Sequence, residues 1–389
     1  MAKKLMILGA SELQLPAIRK AKEMGLTTVV ADYDPNAVGA PEADVFCCVS
    51  TLDHEGVLAV AKRERIDGIM TICSDRPMRV VAKVSRELGL SAISEESALL
   101  ATNKAHMRLA LQENEVPIPQ FAVCRSREEY LTAVERMGLP LIVKPSDNSG
   151  SRGIVYVREA DEVMPAYDYS RANSMENVVL VEEFMDGDEV SAEVFAMAGD
   201  IQVVQITDKI TTGAPHFVEM GHTQPSALSQ STQEEIRRVA VAAVKALGIT
   251  DGPAHVELKA TATGVKIVEL GARLGGDFIA TDLVLMSTGV DMVRQTIEFA
   301  LGNKAEICPT LHRFAAIRYV GKLRAASFEK GDAIFPEKFM WTRLEATQVE
   351  SSRDRECAFL VSDDSREGLL RKIEQIRGKL EIADKKLYW

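Results

Sequence analysis

The stretch AHVELKATATGVKIVELGARLGG, residues 254–276, reads as a β-hairpin. Two runs of alternating apolar and polar residues flank the turn-like segment Thr261 to Gly264. A turn centred on Thr263 sets Glu257 opposite Glu269, with Cβ atoms about 4.5–5.5 Å apart. Period 2 also places His255, Lys259, Gly271 and Arg273 on the glutamate face, with Val256, Leu258, Val268 and Leu270 behind it. Like charges directly opposite each other repel, so the pair makes sense with a divalent cation between them. Oxygen-only ligation suits Mg²⁺ carrying a phosphate chain. The rival reading leaves both glutamates on the solvated face of an amphipathic hairpin, and the hairpin alone does not choose between them.

Working outward, 389 residues suffice for two or three domains, and 46% hydrophobic content is ordinary for a globular chain. A net charge of -11, with no basic patch interleaved with aromatics, argues against a nucleic-acid partner and for a small substrate. The N-terminus MAKKLMILGASELQL has too short an apolar run for a membrane span and no cleavage site, so a cytoplasmic location without a membrane is expected. The 6 cysteines (Cys47, Cys48, Cys73, Cys124, Cys308, Cys357) lack CxxC spacing and read as buried hydrophobes.

Residues 3 to 93 alternate three apolar strands (KLMILGA, TTVVADYD, GIMTICSD) with three amphipathic helices, which predicts a parallel sheet with covering helices. The loop Gly9-Ala10-Ser11 falls short of a dinucleotide fingerprint and reads as a tight strand-to-helix turn. Asp32, Asp34, Asp75 and Arg76 gather at the carboxyl edge of that sheet, where open α/β sheets bind ligands; Asp34, before Pro35, fits a helix cap equally well. A second unit begins near Ser94: helices to Glu115, a break at Pro117 and Pro119, a helix from Ser126, and strands at 139–145, 154–157 and 178–185. A long helix from Thr232, capped by Ser231 and Thr232, leads into the hairpin. The tail from Pro309 reads as a small α+β unit. The expected division is 1–93, 94–308 with an inserted lid at about 118–186, and 309–389.

Lys144 ends an apolar strand, and SDNSGSRG (146–153) follows it. Glycine lets backbone N–H groups approach a phosphate, hydroxyls add donors, and the lysine supplies charge. Common Gly/Ser turns look alike, so this loop is ambiguous alone. VEEFMDGDEVSAE (181–193) ends an apolar run with Glu182 and places Glu189 after an Asp186-Gly187 turn. Exposed backbone at such a strand end can read an adenine edge and a carboxylate can accept from ribose hydroxyls, although acidic turns are more often solvated surface.

Taken in order, ATNKAHMR with Lys104, IVKPSDNSGSRG, VEEFMDGDEVSAE, VELK and IVELGARLGG resemble the ATP-grasp superfamily of carboxylate-amine ligases over roughly residues 1 to 310. Within it, the likeness leans to the branch of L-amino acid (dipeptide) ligases and carbamoyl-phosphate-synthase-like proteins. The resemblance implies an α/β and α+β ATP-grasp fold and the cofactors ATP and Mg²⁺, or Mn²⁺ in its place. It gives Lys104 and Lys144 to the ATP phosphates, with the loop carrying Ser149, Gly150, Ser151 and Gly153 closing over them. Glu182 and the backbone of Phe184 and Met185 would receive adenine, and Glu189 ribose. Glu257 and Glu269 would bind the metal, and Arg273 would stabilise an acyl phosphate and its tetrahedral adduct. In the substrate pocket it implies Lys209, Glu219, His222, Ser226, Gly275 and Gly276 beside Arg273. One departure is Gly271, where the usual pattern has a metal-binding Asn.

The activity so implied is ATP-dependent amide or peptide bond formation between small-molecule carboxylate and amine substrates through an acyl phosphate; a homodimer is compatible with it. Two rivals stand beside it. One is a carboxylase or formyl-transfer enzyme using bicarbonate or formate, the other a nucleotide-binding protein without turnover.

Overall fold

The computed structural model describes residues 2–148, 152–327, 336–342 and 349–382. Its N-terminal sheet is parallel, as the alternation predicts, with strands β1 (Lys4–Leu8), β2 (Thr27–Asp32), β3 (Val45–Cys48) and β4 (Gly68–Met70) in the order β3-β2-β1-β4. β3 is a fourth strand that the sequence does not announce. Its four residues VFCC show too little alternation, and it pairs only at the sheet edge. Helices α1 (Leu15–Glu23), α2 (His54–Glu64) and α3 (Met78–Leu88) cover the two faces. Asp53 caps α2, accepting from the Gly56 N–H at 3.1 Å. Asp34 caps no helix; its carboxylate accepts from the Asn36 N–H two residues on, an Asx turn.

After α4 (Glu95–Leu100) and α5 (Lys104–Glu113), the chain builds an antiparallel sheet from β5 (Phe121–Cys124), β6 (Leu141–Pro145), β7 (Val155–Val157) and β8 (Val179–Glu183), in the order β5-β8-β6-β7. Helices α6 (Arg127–Met137) and α7 (Val163–Ala172) pack on it around Tyr130, Tyr167, Leu141, Val143 and Val181, a core of its own.

The largest sheet has eight strands: β9 (Asp188–Met197), β10 (Asp200–Thr211), β11 (Glu219–Gln224), β12 (Gly252–Thr261), β13 (Gly264–Gly271), β14 (Phe314–Val320), then β16 (Lys338–Trp341) and β17 (Cys357–Asp363). The order is β13-β12-β9-β10-β11-β14-β17-β16, and every pairing is antiparallel. The tail from Pro309 therefore extends this sheet through β14 pairing with β11, while its β15 (Leu323–Ala326) and β18 (Leu380–Ile382) form a separate ribbon. Helix α8 (Gln230–Ala246) covers one face, burying Ile236, Val239, Ala240 and Ala243 against Val256, Leu258, Val265, Ile267 and Leu270. Fully burying each branched side chain contributes about 1.5–3 kcal/mol, which fixes this as the core face. The cap of α8 is Ser229, accepting from Thr232 N–H, two residues earlier than the capping pattern suggests. No helix among the described residues is long and apolar enough to cross a membrane.

Candidate active site

With even-numbered β12 residues against α8, the odd-numbered ones face the other way, and the hairpin register is as the alternation predicts: His255 pairs with Gly271 and Glu257 with Glu269. Between Glu257 and Leu258 the register shifts by one, so that Leu258 faces Ile267. Val268 is the extra residue of this bulge. It is only half-buried rather than behind the glutamates, and Val265 and Ile267 take the core positions instead. The carbonyl oxygen of Val268 accepts from Arg108 Nη2 at 2.7 Å.

On the polar face, β9 sets Glu193 against His255, Ser191 against Glu257 and Glu189 against Lys259. His255 lies between two carboxylates, Nδ1 2.7 Å from Glu193 and Nε2 3.3 Å from Glu257. Burial works against its cationic form, but the two glutamates outweigh that and push it up to about 9. Lys209 reaches in from β10, its side chain 2% exposed, with Nζ at 3.1 Å from Glu189, 3.4 Å from Glu257 and 3.6 Å from Glu219. Burial again opposes the charge, and three carboxylates hold Lys209 well above its ordinary value.

Lys104 opens α5 because Asn103 caps that helix, its Oδ1 accepting from Ala105 N–H and His106 N–H. The Lys104 N–H donates to Ser146 O at 2.7 Å, and its Nζ meets both Asn148 O and Glu269 Oε1 at 2.7 Å. One helical turn on, buried Arg108 donates through Nε to Glu182 at 2.6 Å, and Lys144 Nζ takes the other oxygen of Glu182 at 2.7 Å. Burial raises the Glu182 carboxyl, yet the two cations more than reverse this and bring it to about 2. Burial lowers Lys144. Phe184, just beyond, donates its N–H to Pro140 O and sets its ring against Tyr156, tilted by 40° with centroids 4.5 Å apart. Met185 follows on the loop into Gly187. That glycine, at φ +150°, is needed there because a Cβ would lie 2.2 Å from Ala260 O, so the loop between β8 and β9 meets the end of β12 backbone to backbone.

Arg273 points back to the N-terminal sheet and grips Asp75 with two bonds, Nε to Oδ1 at 2.8 Å and Nη2 to Oδ2 at 3.2 Å. Beyond Gly275 and Gly276, Asp277 is held by Arg355 through the two terminal guanidinium nitrogens, Nη1 at 2.6 Å and Nη2 at 2.9 Å. Buried His222 stands 3.5 Å from the same carboxylate. Burial raises the Asp277 carboxyl, but Arg355 and His222 override it and hold it well below the usual range.

The structure thus brings Lys104, Lys144, Glu182, Glu189, Lys209, Glu219, Glu257, Glu269 and Arg273 to one side of the central sheet, with His222 at its border. Ser226 stands apart: its hydroxyl bonds the carboxylate of Asp208, which alternates with Lys209 to the opposite face and is paired with Arg366. Its N–H, which donates to Ile206 O at 3.0 Å, and its hydroxyl thus tie it to β10 on that opposite face, a correction to its placement in the pocket. Ser149, Gly150 and Ser151 lie outside the described residues. Gly153, at φ +81°, accepts through its carbonyl from Ser170 Oγ at 2.5 Å. Arg108 and Glu193 lie within the quoted motifs without an assigned role, whereas His255 is already read on the glutamate face and Asp75 at the carboxyl edge of the N-terminal sheet. Arg108 sits one turn after Lys104, a spacing that would have marked it.

Exposure sorts the carboxylates. Glu182 and Glu193 side chains are closed off at 4% and 1%, whereas Glu257 and Glu269 remain open at 26% and 33%. The open pair are acceptor-only oxygens set opposite one another, a donor set that fits Mg²⁺, and the surrounding lysines and arginine fit phosphate. No group of three or more His, Cys, Asp or Glu suited to a metal occurs among the described residues, so substrate or water oxygens would complete the shell.

Residues 137–282 match the family model described as an ATP-grasp domain. An uncharacterized protein of Sinorhizobium fredii is 30% identical over 242 residues, 61% of this chain and 50% of that protein. Carnosine synthase 1 of Mus musculus is 24% identical over 77% of this chain and 40% of its own length. The chain thus spans half or less of these two curated relatives. A formate-dependent phosphoribosylglycinamide formyltransferase of Haemophilus ducreyi is 23% identical over 98% of this chain and 97% of its own. Among solved structures, the L-amino acid ligase from Bacillus licheniformis superposes with a TM-score of 0.81 at 23% identity, covering 99% of both chains.

Proposed function

We propose, from its membership of the ATP-grasp superfamily, that the chain joins a small carboxylate to an amine at the cost of ATP, through an acyl phosphate. The observation that carries this reading is the open Glu257–Glu269 pair ringed by Lys104, Lys144, Lys209 and Arg273 on one sheet face. A carboxylate is a poor electrophile, and transfer of the γ-phosphoryl group makes it reactive; charge then builds on phosphoryl and carbonyl oxygens, which fixed cations stabilise. Mg²⁺, when held by Glu257 and Glu269, would neutralise phosphate charge. Lys104 and Lys144 would bind the phosphates, exchanging Glu269 and Glu182 for them. Phe184 and Met185 would border adenine beside Tyr156, and Glu189 would accept from ribose.

Lys209 helps hold Glu257 well below the usual carboxylate range, and His255, charged below about pH 9, balances Glu193 and Glu257. Segment 118–186, with its separate core, would act as the lid that closes water out before the amine attacks. The dividing lines 1–93, 94–308 and 309–389 are part of the same proposal. The end-to-end likeness to a formate-dependent enzyme favours a second reading, in which formate or bicarbonate is the acid.

ADP release screened over pairs of amino acids, with and without formate or bicarbonate, tests both. Release that needs an amino-acid pair, with an amide product by mass spectrometry, supports the ligase. Release that needs only formate or bicarbonate with an amine supports the second reading, and none on any pair defeats both.

A further inference from the structure

Asp75 and Arg273 are separated by 198 residues and come from different sheets, yet they make a two-bond ion pair at 2.8 and 3.2 Å. The side chains are 19% and 14% exposed, so the pair sits at the wall of the site rather than on the outer surface. Asp75 spends both oxygens on the Nε–Nη2 edge of the guanidinium, and Nη1 also donates to Leu274 O at 3.3 Å. Five N–H donors exist on a guanidinium. The end-on Nη1–Nη2 edge consequently keeps a donor on each nitrogen, and its direction is fixed by what Asp75 grips on the other edge.

The departure at Gly271 belongs to the same arrangement. A Cβ there would lie 2.6 Å from Asp75 Oδ1 and 3.0 Å from Arg273 Cζ. A side chain at 271, Asn included, would therefore have to push the Asp75 carboxylate or the Arg273 guanidinium out of its present position. A second contact ties the same loops: Cys73, in the left-handed region at φ +58°, donates its thiol to Gly275 O at 3.3 Å. The end of β4 is thus docked onto the segment that carries Arg273.

We infer that Asp75 is a positioning residue supplied by the N-terminal sheet, which holds Arg273 so that its end-on edge faces the oxyanion of the reacting carboxyl group, and that glycine occupies position 271 to admit it. The inference rests on the ligase reading and adds to it where the arginine's orientation comes from. An error of about 1 Å in such a group can cost ~100-fold in rate, so the effect should be on kcat.

The experiment uses the full chain with the acid and amine pair found by ADP release. Asp75→Asn should lower kcat roughly 10- to 100-fold and leave KM for ATP within about twofold. Arg273→Gln should lower kcat at least as far, and the double variant no further, because Asp75 acts only through Arg273. A purely structural role would reduce the folded fraction, counted by ATP binding, without changing kcat per binding site. Asp75→Asn with wild-type kcat per site, or a double variant whose losses multiply, overturns the inference while the ligase reading stands. A wild-type chain that releases no ADP with any pair defeats the ligase reading and this inference with it.

Discussion

Lys104 Nζ and Glu269 Oε1 stand 2.7 Å apart, so the cation assigned to phosphate and the carboxylate assigned to metal neutralise each other. Lys144 with Glu182 and Lys209 with Glu257 are two further lysine–carboxylate pairs of the site. Each of these three buried lysines therefore has a carboxylate partner within the chain, which is what a low-dielectric site requires.

Replacing Glu269 by Gln should abolish turnover while sparing the fold, since the side chain is a third exposed and already polar around. ADP release should fall by roughly 100-fold or more, with a melting temperature within a few degrees of wild type. Activity within tenfold of wild type would take Glu269 out of the metal site.

Lys209→Met leaves Glu189, Glu219 and Glu257 without their shared cation. Removing one member of a buried ionic group costs about 3–5 kcal/mol, measurable by urea unfolding. Millimolar Mg²⁺ should recover more stability in this variant than in wild type, because it supplies the missing positive charge. Equal gains in both proteins would place the metal elsewhere.

Gly271→Asn installs the residue that the resemblance leads one to expect there, but its Cβ would come within 2.6 Å of Asp75 Oδ1. Activity should fall and stay low at every Mg²⁺ concentration. Tighter Mg²⁺ dependence with activity retained would show that position 271 serves the metal instead.

The acid limb of stability should contain Glu182. Its carboxyl lies at about 2 in the folded chain against an ordinary 4.5. Its stabilising contribution is therefore complete above about pH 4.5 and is lost as pH falls toward 2, with a total on the order of 3 kcal/mol at most. Urea midpoints at pH 7, 4.5 and 3 should fall more steeply for wild type than for Glu182→Gln, which starts lower because Arg108 and Lys144 lose their anion. Parallel slopes would assign the acid transition to other groups.

Hydrogen exchange on peptides spanning Lys144 to Gly153 should slow on adding ATP-Mg²⁺, as Lys104 and Lys144 trade internal partners for phosphate. Peptides in α6 and β5 serve as the comparison. Slowing only outside 144–153 would end the phosphate role of that loop.

The parallel N-terminal sheet, the two-strand hairpin and the pairing of Glu257 with Glu269 were legible from the chain, because period 2 and a short turn are local properties. The bulge at Val268 was not. It answers to Arg108, whose Nη2 claims the Val268 carbonyl from 160 residues away. Ser226 carried a pocket assignment from the family resemblance, but the alternation of β10 sends its partner Asp208 to the face opposite Lys209.

The order of motifs by itself determined the family resemblance, the candidate nucleotide and metal residues, and which hairpin face is polar, since each depends on residue type and short spacing. Only the tertiary structure decided that Arg273 is gripped by Asp75 across 198 residues, that Gly271 leaves the room for it, and that β14, β16 and β17 of the tail complete the central sheet. Those are contacts between segments whose mutual placement is set by how whole sheets pack, and no local pattern of side chains encodes them.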